Sequence, residues 1–310
     1  MPPPSPEKHS GRGRKVHVEP ERKEGSDPVN VPASSPRSEF TREVNRSRGE
    51  IDLARAALLI AKEEYPQLPV ERYLGRLDQL AEEVKDRLDS ETAAPIVLQE
   101  VVATLYERNG FRGNRAAYYD PRNSFLSDVL DRRTGIPLTL GIVILEVGRR
   151  VGLPLEGVNF PGHFLVRLRG EGLNLLVDPF DQGTIRFEDQ AQQLLDRVYG
   201  GMVRVRDDFL KSASPRDMLV RLLTNLKGVY GNVHDHRRAL AAVERILIIH
   251  PTAPAEIRDR GTILAQMGRT EEALRQLEWY LDYAPEASDA ERIQALVDEL
   301  RGTGGGTGLA

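Results

Sequence analysis

From residue 51 onward the apolar positions of this chain fall at helical spacing. The stretch 51–64 is rich in Ala and Leu and stops before Pro66, a residue that cannot continue a helix. Leu74, Leu77, Ala81, Val84 and Leu88 then recur at alternating steps of three and four, the stripe of a helix with one buried face. The stretch 94–108 repeats the pattern through Leu98, Val101, Val102 and Leu105 and closes on Asn109-Gly110, a good C-terminal cap. Asn123-Ser124 reads as the cap of a helix reaching Arg133. Pro137 suits the first position of the next helix, 138–151. Leu138, Leu140, Ile142, Val143, Ile144, Leu145 and Val147 leave that helix apolar on nearly every side, so it is predicted to be the buried central helix.

After Gly152-Leu153-Pro154 the texture changes to strand-like runs at 156–160, 163–169 and 173–177. The last two flank Arg169-Gly170-Glu171-Gly172, a turn signal. A turn centred between Gly170 and Glu171 sets His163 directly opposite Asp178 across the ladder. Alternation puts Phe164, Val166, Leu168, Leu173, Leu175 and Val177 on one apolar face. His163, Leu165, Arg167, Asn174, Leu176 and Asp178 fall on the other. A carboxylate bonded to one imidazole nitrogen fixes the tautomer and holds the ring for chemistry; the same pair also serves as a plain fold-holding bond. Arg167, on the face of His163, is a candidate anchor for a carboxylate or phosphate, against pairing with local carboxylates. Helix is predicted again over 188–198, then a short strand over 202–205.

The last third repeats. Ala239-Leu240 and Ala273-Leu274 are spaced like Pro251 and Pro285, and like Leu226 and Arg260. This is the period of about 34 residues, with small residues at helix crossings, of tetratricopeptide arrays. Two hairpins are few for independent stability, so they are expected to dock on the first domain or on a capping helix over 288–300. Such arrays bind peptides or proteins.

Residues 1–39 hold eight of the twenty prolines and almost no large apolar side chain, so they are expected to form a disordered tail. The run 302–310, GTGGGTGLA, is expected to be flexible. The net charge of −4 gives no reason to bind nucleic acid. No apolar run is long enough to span a membrane, and no secretory signal is read at the N-terminus. With no cysteine, thiolate metal sites and thiol nucleophiles are excluded, and a cytoplasmic location is expected. No cofactor is expected, nor a metal, because His163 and Asp178 have no evident third ligand.

The runs Asn123-Ser124-Phe125-Leu126, Arg132 to Leu140, Gly152-Leu153-Pro154, Phe160-Pro161-Gly162-His163-Phe164 and Val177-Asp178-Pro179-Phe180 together resemble the SirB-type transglutaminase-like family over about residues 45–210, a family that commonly carries tetratricopeptide repeats behind that domain. That resemblance implies an α+β fold: a transglutaminase-like, papain-like domain over 40–210, with a buried central helix against a small antiparallel sheet. An all-α tetratricopeptide region over 212–301 would follow. By the likeness, His163 and Asp178 match the family's His and Asp, and a cysteine should open the central helix. Here that place reads Gly135-Ile136-Pro137-Leu138-Thr139-Leu140. Thr139, in the helix's first turn, is the candidate substitute nucleophile, with Ser124 another; Asn123 is a candidate ligand contact. The expected function is a non-catalytic protein- or peptide-binding scaffold. The alternative is an acyl transferase or hydrolase in which His163 and Asp178 activate a hydroxyl or water. A third option leaves the pair purely structural.

Overall fold

The structure, a computed structural model, describes residues 35–47, 51–89, 91–170 and 173–304. Helix α1, Pro36–Val44, begins inside the segment assigned to the tail. Ser35 caps it by accepting from the Ser38 amide, and Phe40 and Val44 are buried, which anchors residues that composition alone marks as unfoldable. The rest of that tail, to residue 34, lies outside the described residues, as does the end of the chain from residue 305.

Helices α2, Leu53–Glu64, and α3, Val70–Lys85, follow their apolar stripes. Helix α4, Ala94–Val102, runs into a wider π-helical turn at Ala103–Arg108. Strand β1, Arg112–Gly113, pairs in parallel with β2, Thr134–Gly135. Between them lie a short 3-10 turn, Pro121–Asn123, and helix α5, Leu126–Arg132. Asn123 and Ser124 do not cap α5: its N-cap is Phe125, with no side-chain bond.

Helix α6, Pro137–Arg150, is the central helix, buried from Pro137 to Gly148. It lies between α2, α3 and α4 on one side and the sheet on the other. The five-stranded sheet is antiparallel throughout, in the order β6, β5, β4, β3, β7. Its strands are β3, Leu155–Val158, β4, Leu165–Gly170, β5, Leu173–Asp178, β6, Thr184–Phe187, and β7, Ser212–Ala213. Phe164, Val166, Leu168, Leu175 and Val177 join the main core. Gly141 lets α6 approach closely, since an added Cβ would stand 2.6 Å from the Phe164 ring. On the other face Val158, Leu165 and Leu176 pack against Ala191, Leu194 and Leu195 of helix α7, Ala191–Tyr199.

The predicted strand at 202–205 is absent. Val203 and Val205 instead bond the side-chain amide of Gln192, at 3.0 and 2.9 Å, so one glutamine takes the place of a strand neighbour. The edge strands β6 and β7 carry little apolar pattern and were not foreseen.

Five helices complete the chain: α8, Pro215–Asn232, α9, His236–Ile249, α10, Pro254–Gln266, α11, Thr270–Tyr283, and α12, Ala290–Gly304. The repeated Ala239 and Ala273 are buried at helix contacts. Leu277 and Tyr280 of α11 meet Ile293 and Val297 of α12, which closes the array. At the other end Met218, Leu219, Leu222, Leu223 and Leu226 of α8 enter the same core as α2 and α6. An ion-pair seam runs beside them. Arg37 of α1 bonds Glu63 of α2, which also meets the buried Arg245 of α9 at 2.6 Å; Arg238 of α9 bonds Glu64 at 2.6 Å. Among the described residues no helix is long and apolar enough to cross a membrane.

Candidate functional site

The hairpin register differs from the prediction. Val166 pairs with Val177 and Gly170 with Leu173, two residues out from a turn centred between Gly170 and Glu171. Residues 171 and 172 themselves lie outside the described residues. A slip of one would have turned every side chain to the other face; a slip of two preserves the faces. His163 therefore precedes β4 rather than opposing Asp178 in the ladder. The two side chains meet all the same, with His163 Nε2 2.7 Å from Asp178 Oδ1.

Two turns bring them together. Phe160-Pro161-Gly162-His163 closes on a bond from the His163 amide to the Phe160 carbonyl, 3.0 Å. Gly162 has φ of 66°, a left-handed position open to Gly after Pro in a type II turn. At the end of β5, Asp178 Oδ1 also accepts from the amides of Phe180 and Asp181, at 3.0 and 3.1 Å. The Tyr106 hydroxyl donates to the Pro179 carbonyl at 2.6 Å and holds that turn in place. Burial pushes the Asp178 carboxyl up, but the His163 bond and charge and the two amides outweigh it, leaving the group below the usual carboxylate range. With the proton on Nε2 facing Asp178, Nδ1 is the basic nitrogen, and among the described residues no hydrogen bond to it is found.

Aromatic rings frame the pair. The Phe180 ring lies edge-on to His163, centroids 6.4 Å apart, and edge-on to Tyr118 at 5.8 Å. Gly113 admits that ring, since a Cβ there would stand 2.5 Å from it. Arg221 of α8 approaches from the repeat region. Its guanidinium donates to Asn159 Oδ1 at 3.2 Å and to the Phe160 and His163 carbonyls at 3.4 and 2.7 Å. All three acceptors are neutral. Burial lowers its pKa, yet a guanidinium stays charged at neutral pH. Beyond Tyr118 opens a cleft of about 180 Å³, lined by Tyr118, Tyr119, Ser124 and Ile136 on one side and by Thr224, Asn225 and Gly228 of α8 on the other.

Of the residues singled out from sequence, His163 and Asp178 come together and Ser124 faces the adjoining cleft. Three others have different tasks. Thr139 is wholly buried; its hydroxyl donates to the Asn123 carbonyl at 2.7 Å and accepts from the Ile136 amide at 3.2 Å. A hydroxyl so engaged and sealed is not offered as a nucleophile, and neither it nor Ser124 bonds His163. Asn123, also wholly buried, accepts from Asn114 and donates to the Ala117 and Tyr118 carbonyls, so it shapes the Tyr118 loop rather than touching a ligand. Arg167 is consumed by Glu156 at 2.7 Å, Glu188 at 3.3 Å, the Leu210 carbonyl and Ser212; it ties β3, β4 and β7 together.

Sequence reasoning missed Arg221 and the tyrosine pair. Tyr118-Tyr119, just before Asp120-Pro121, was a signal, because adjacent aromatics in a loop lack a core face to bury. Arg221 carried none: it sits in an ordinary amphipathic helix.

Comparison with known proteins agrees with this architecture. Residues 71–224 match the model of the transglutaminase-like superfamily, and residues 226–298 that of the tetratricopeptide repeat. A UPF0162 protein of Xylella fastidiosa (strain Temecula1) is 36% identical over 252 residues, 80% of this chain and 90% of the relative. A UPF0162 protein of Vibrio cholerae is 30% identical, covering 81% and 93% of the two chains. Protein SirB1 of Salmonella typhimurium (strain LT2) is 29% identical, covering 76% and 87%.

Proposed function

We propose that this chain, which belongs to the UPF0162 and SirB1 family of transglutaminase-like proteins with tetratricopeptide repeats, is a non-catalytic peptide- or protein-binding scaffold. The observation that carries this reading is the start of α6. Thiol acyl transfer needs a cysteine there, beside the His–Asp pair. The chain has none, and the hydroxyl nearest that place, on Thr139, is locked to Asn123 and Ile136. The retained His163–Asp178 bond then fastens two turns that reach the cleft only through the Phe180 ring beside Tyr118. Residues 40–210 supply one wall of that cleft, and residues 212–301 supply the other, formed by α8. The cysteine-free composition suits the cytoplasm, where thiols are not needed as cross-links.

A second reading rests on the free Nδ1 of His163. An imidazole oriented by a carboxylate can draw a proton from water, which would make the site an acyl hydrolase without a covalent step. One experiment separates the two. The full chain and its His163→Ala variant are incubated with an amine donor and glutamine-containing peptides, and with amide and ester substrates. The scaffold reading expects no turnover above buffer in either. Turnover in the wild type that vanishes in the variant would overturn it in favour of the hydrolase.

A further inference from the structure

Three features meet on one face of α8. Arg221, Thr224, Asn225 and Gly228 stand at steps of three and four, so they share a side of the helix. The last three line the cleft, and Arg221 lies one turn before them on the same side of the helix. Arg221 is largely buried and forms no ion pair among the described residues; its acceptors are an amide oxygen and two carbonyls. Two more deeply buried arginines are matched to carboxylates, Arg167 to Glu156 and Arg245 to Glu63. A guanidinium taken from water against neutral acceptors alone is costly.

Gly228 supplies an independent observation. It sits inside α8, where Gly weakens a helix relative to Ala. A Cβ built there meets nothing within 4 Å, so packing within the chain does not require the glycine. What the missing side chain preserves is open space in the cleft. Across that space stand Tyr118 and Tyr119, 41% and 71% exposed, rings of the kind that give peptide sites contact area with a polar tip.

We infer that this cleft binds a peptide through a carboxylate, seated against Arg221, with the adjoining residues laid over Gly228 between the two tyrosines. A guanidinium engages a carboxylate in parallel bonds, and a carboxylate supplies the counter-charge that the three neutral acceptors of Arg221 do not. The carboxylate belongs either to a chain terminus or to an Asp or Glu side chain. The inference rests on the scaffold reading above and names the chemistry that site selects.

The test uses the full chain and pools of N-terminally biotinylated hexapeptides on an interferometry sensor. One pool has free C-termini and no acidic residues. A second is amidated and carries Glu, and a third is amidated with Gln in its place. Binding is expected in one or both of the carboxylate pools and not in the third, and the responding pool identifies the source. Arg221→Gln should weaken it about tenfold or more, with Arg221→Lys in between. Gly228→Leu should abolish it while the melting temperature stays level or rises, which guards against a folding artefact at Arg221. Equal binding by the Gln pool, or no change in Arg221→Gln, overturns the carboxylate anchor and leaves the scaffold reading standing. Failure of all three pools to bind the wild type overturns the carboxylate anchor, while the scaffold reading stands or falls by the turnover assay above.

Discussion

At Asp178 one oxygen accepts from the His163 ring and from two backbone amides. The folded carboxyl lies below its ordinary value, so it contributes stability that is fully present above the unfolded pKa of about 3.9 and is lost as pH falls through the folded one. Urea melts between pH 2 and 6 should show a steep acid limb that flattens in Asp178→Asn, with the variant about 1–2 kcal/mol less stable at pH 7. A limb of equal slope in both proteins would refute the assignment. At Thr139 the hydroxyl is structural. Thr139→Val should cost about 1–3 kcal/mol in chemical denaturation, the penalty of stranding the Asn123 carbonyl and Ile136 amide. Thr139→Cys should gain no His163-dependent acyl transfer in a hydroxamate assay, because the side chain at that position is sealed away from the cleft. The nearness of His163 and Asp178 was expected from the ladder, but two turns outside it join them. Arg167 pairs with carboxylates, as the weighing of its two roles allowed, whereas the partners that engage Asn123, Asn114 among them, sit in loops without pattern.

Elements with a buried face were legible to within a few residues: α2, α3, α6, β4 and β5 all declare themselves by period. The edge strands β6 and β7 did not, since an edge strand has one neighbour and little apolar surface to advertise. Register was right in its parity and wrong by two, because the apolar face fixes which side a residue points to and leaves its partner to the turn. The contact between α6 and β4 is the tightest constraint among these elements. Gly141→Ala drives a methyl against the Phe164 ring, and overpacking of this kind costs about 1–3 kcal/mol. Gly228→Ala, in a helix whose space is open, should be neutral or stabilising by up to about 1 kcal/mol. Paired guanidinium melts should show a lowered midpoint for Gly141→Ala and a level or raised one for Gly228→Ala; equal shifts would contradict the packing described.

On the scale of the whole chain, the fold class followed from the motif resemblance, and the order of textures, helical stripes followed by strands and then a repeat, agreed with it. Docking of the repeats on the first domain or a capping helix was expected, but not that α8 enters the first domain's core, because α8 reads in sequence as an ordinary repeat helix. Its five buried side chains, Met218, Leu219, Leu222, Leu223 and Leu226, are worth about 1.5–3 kcal/mol each, together comparable with the about 5–15 kcal/mol that stabilises a typical domain. A chain ending at residue 214 should therefore lose its near-UV circular dichroism and its cooperative melt, while the full chain melts in one transition. A sharp melt in the shortened chain would show instead that α8 is an appendage. The junction between the two family matches, at residues 224–226, falls in the middle of this helix. Hybrids assembled from relatives must therefore inherit α8 intact from one parent, along with the front half it plugs. A seam cut at that junction would graft half a stopper onto a foreign bottle, whereas exchange after Asn232 leaves the joint sound.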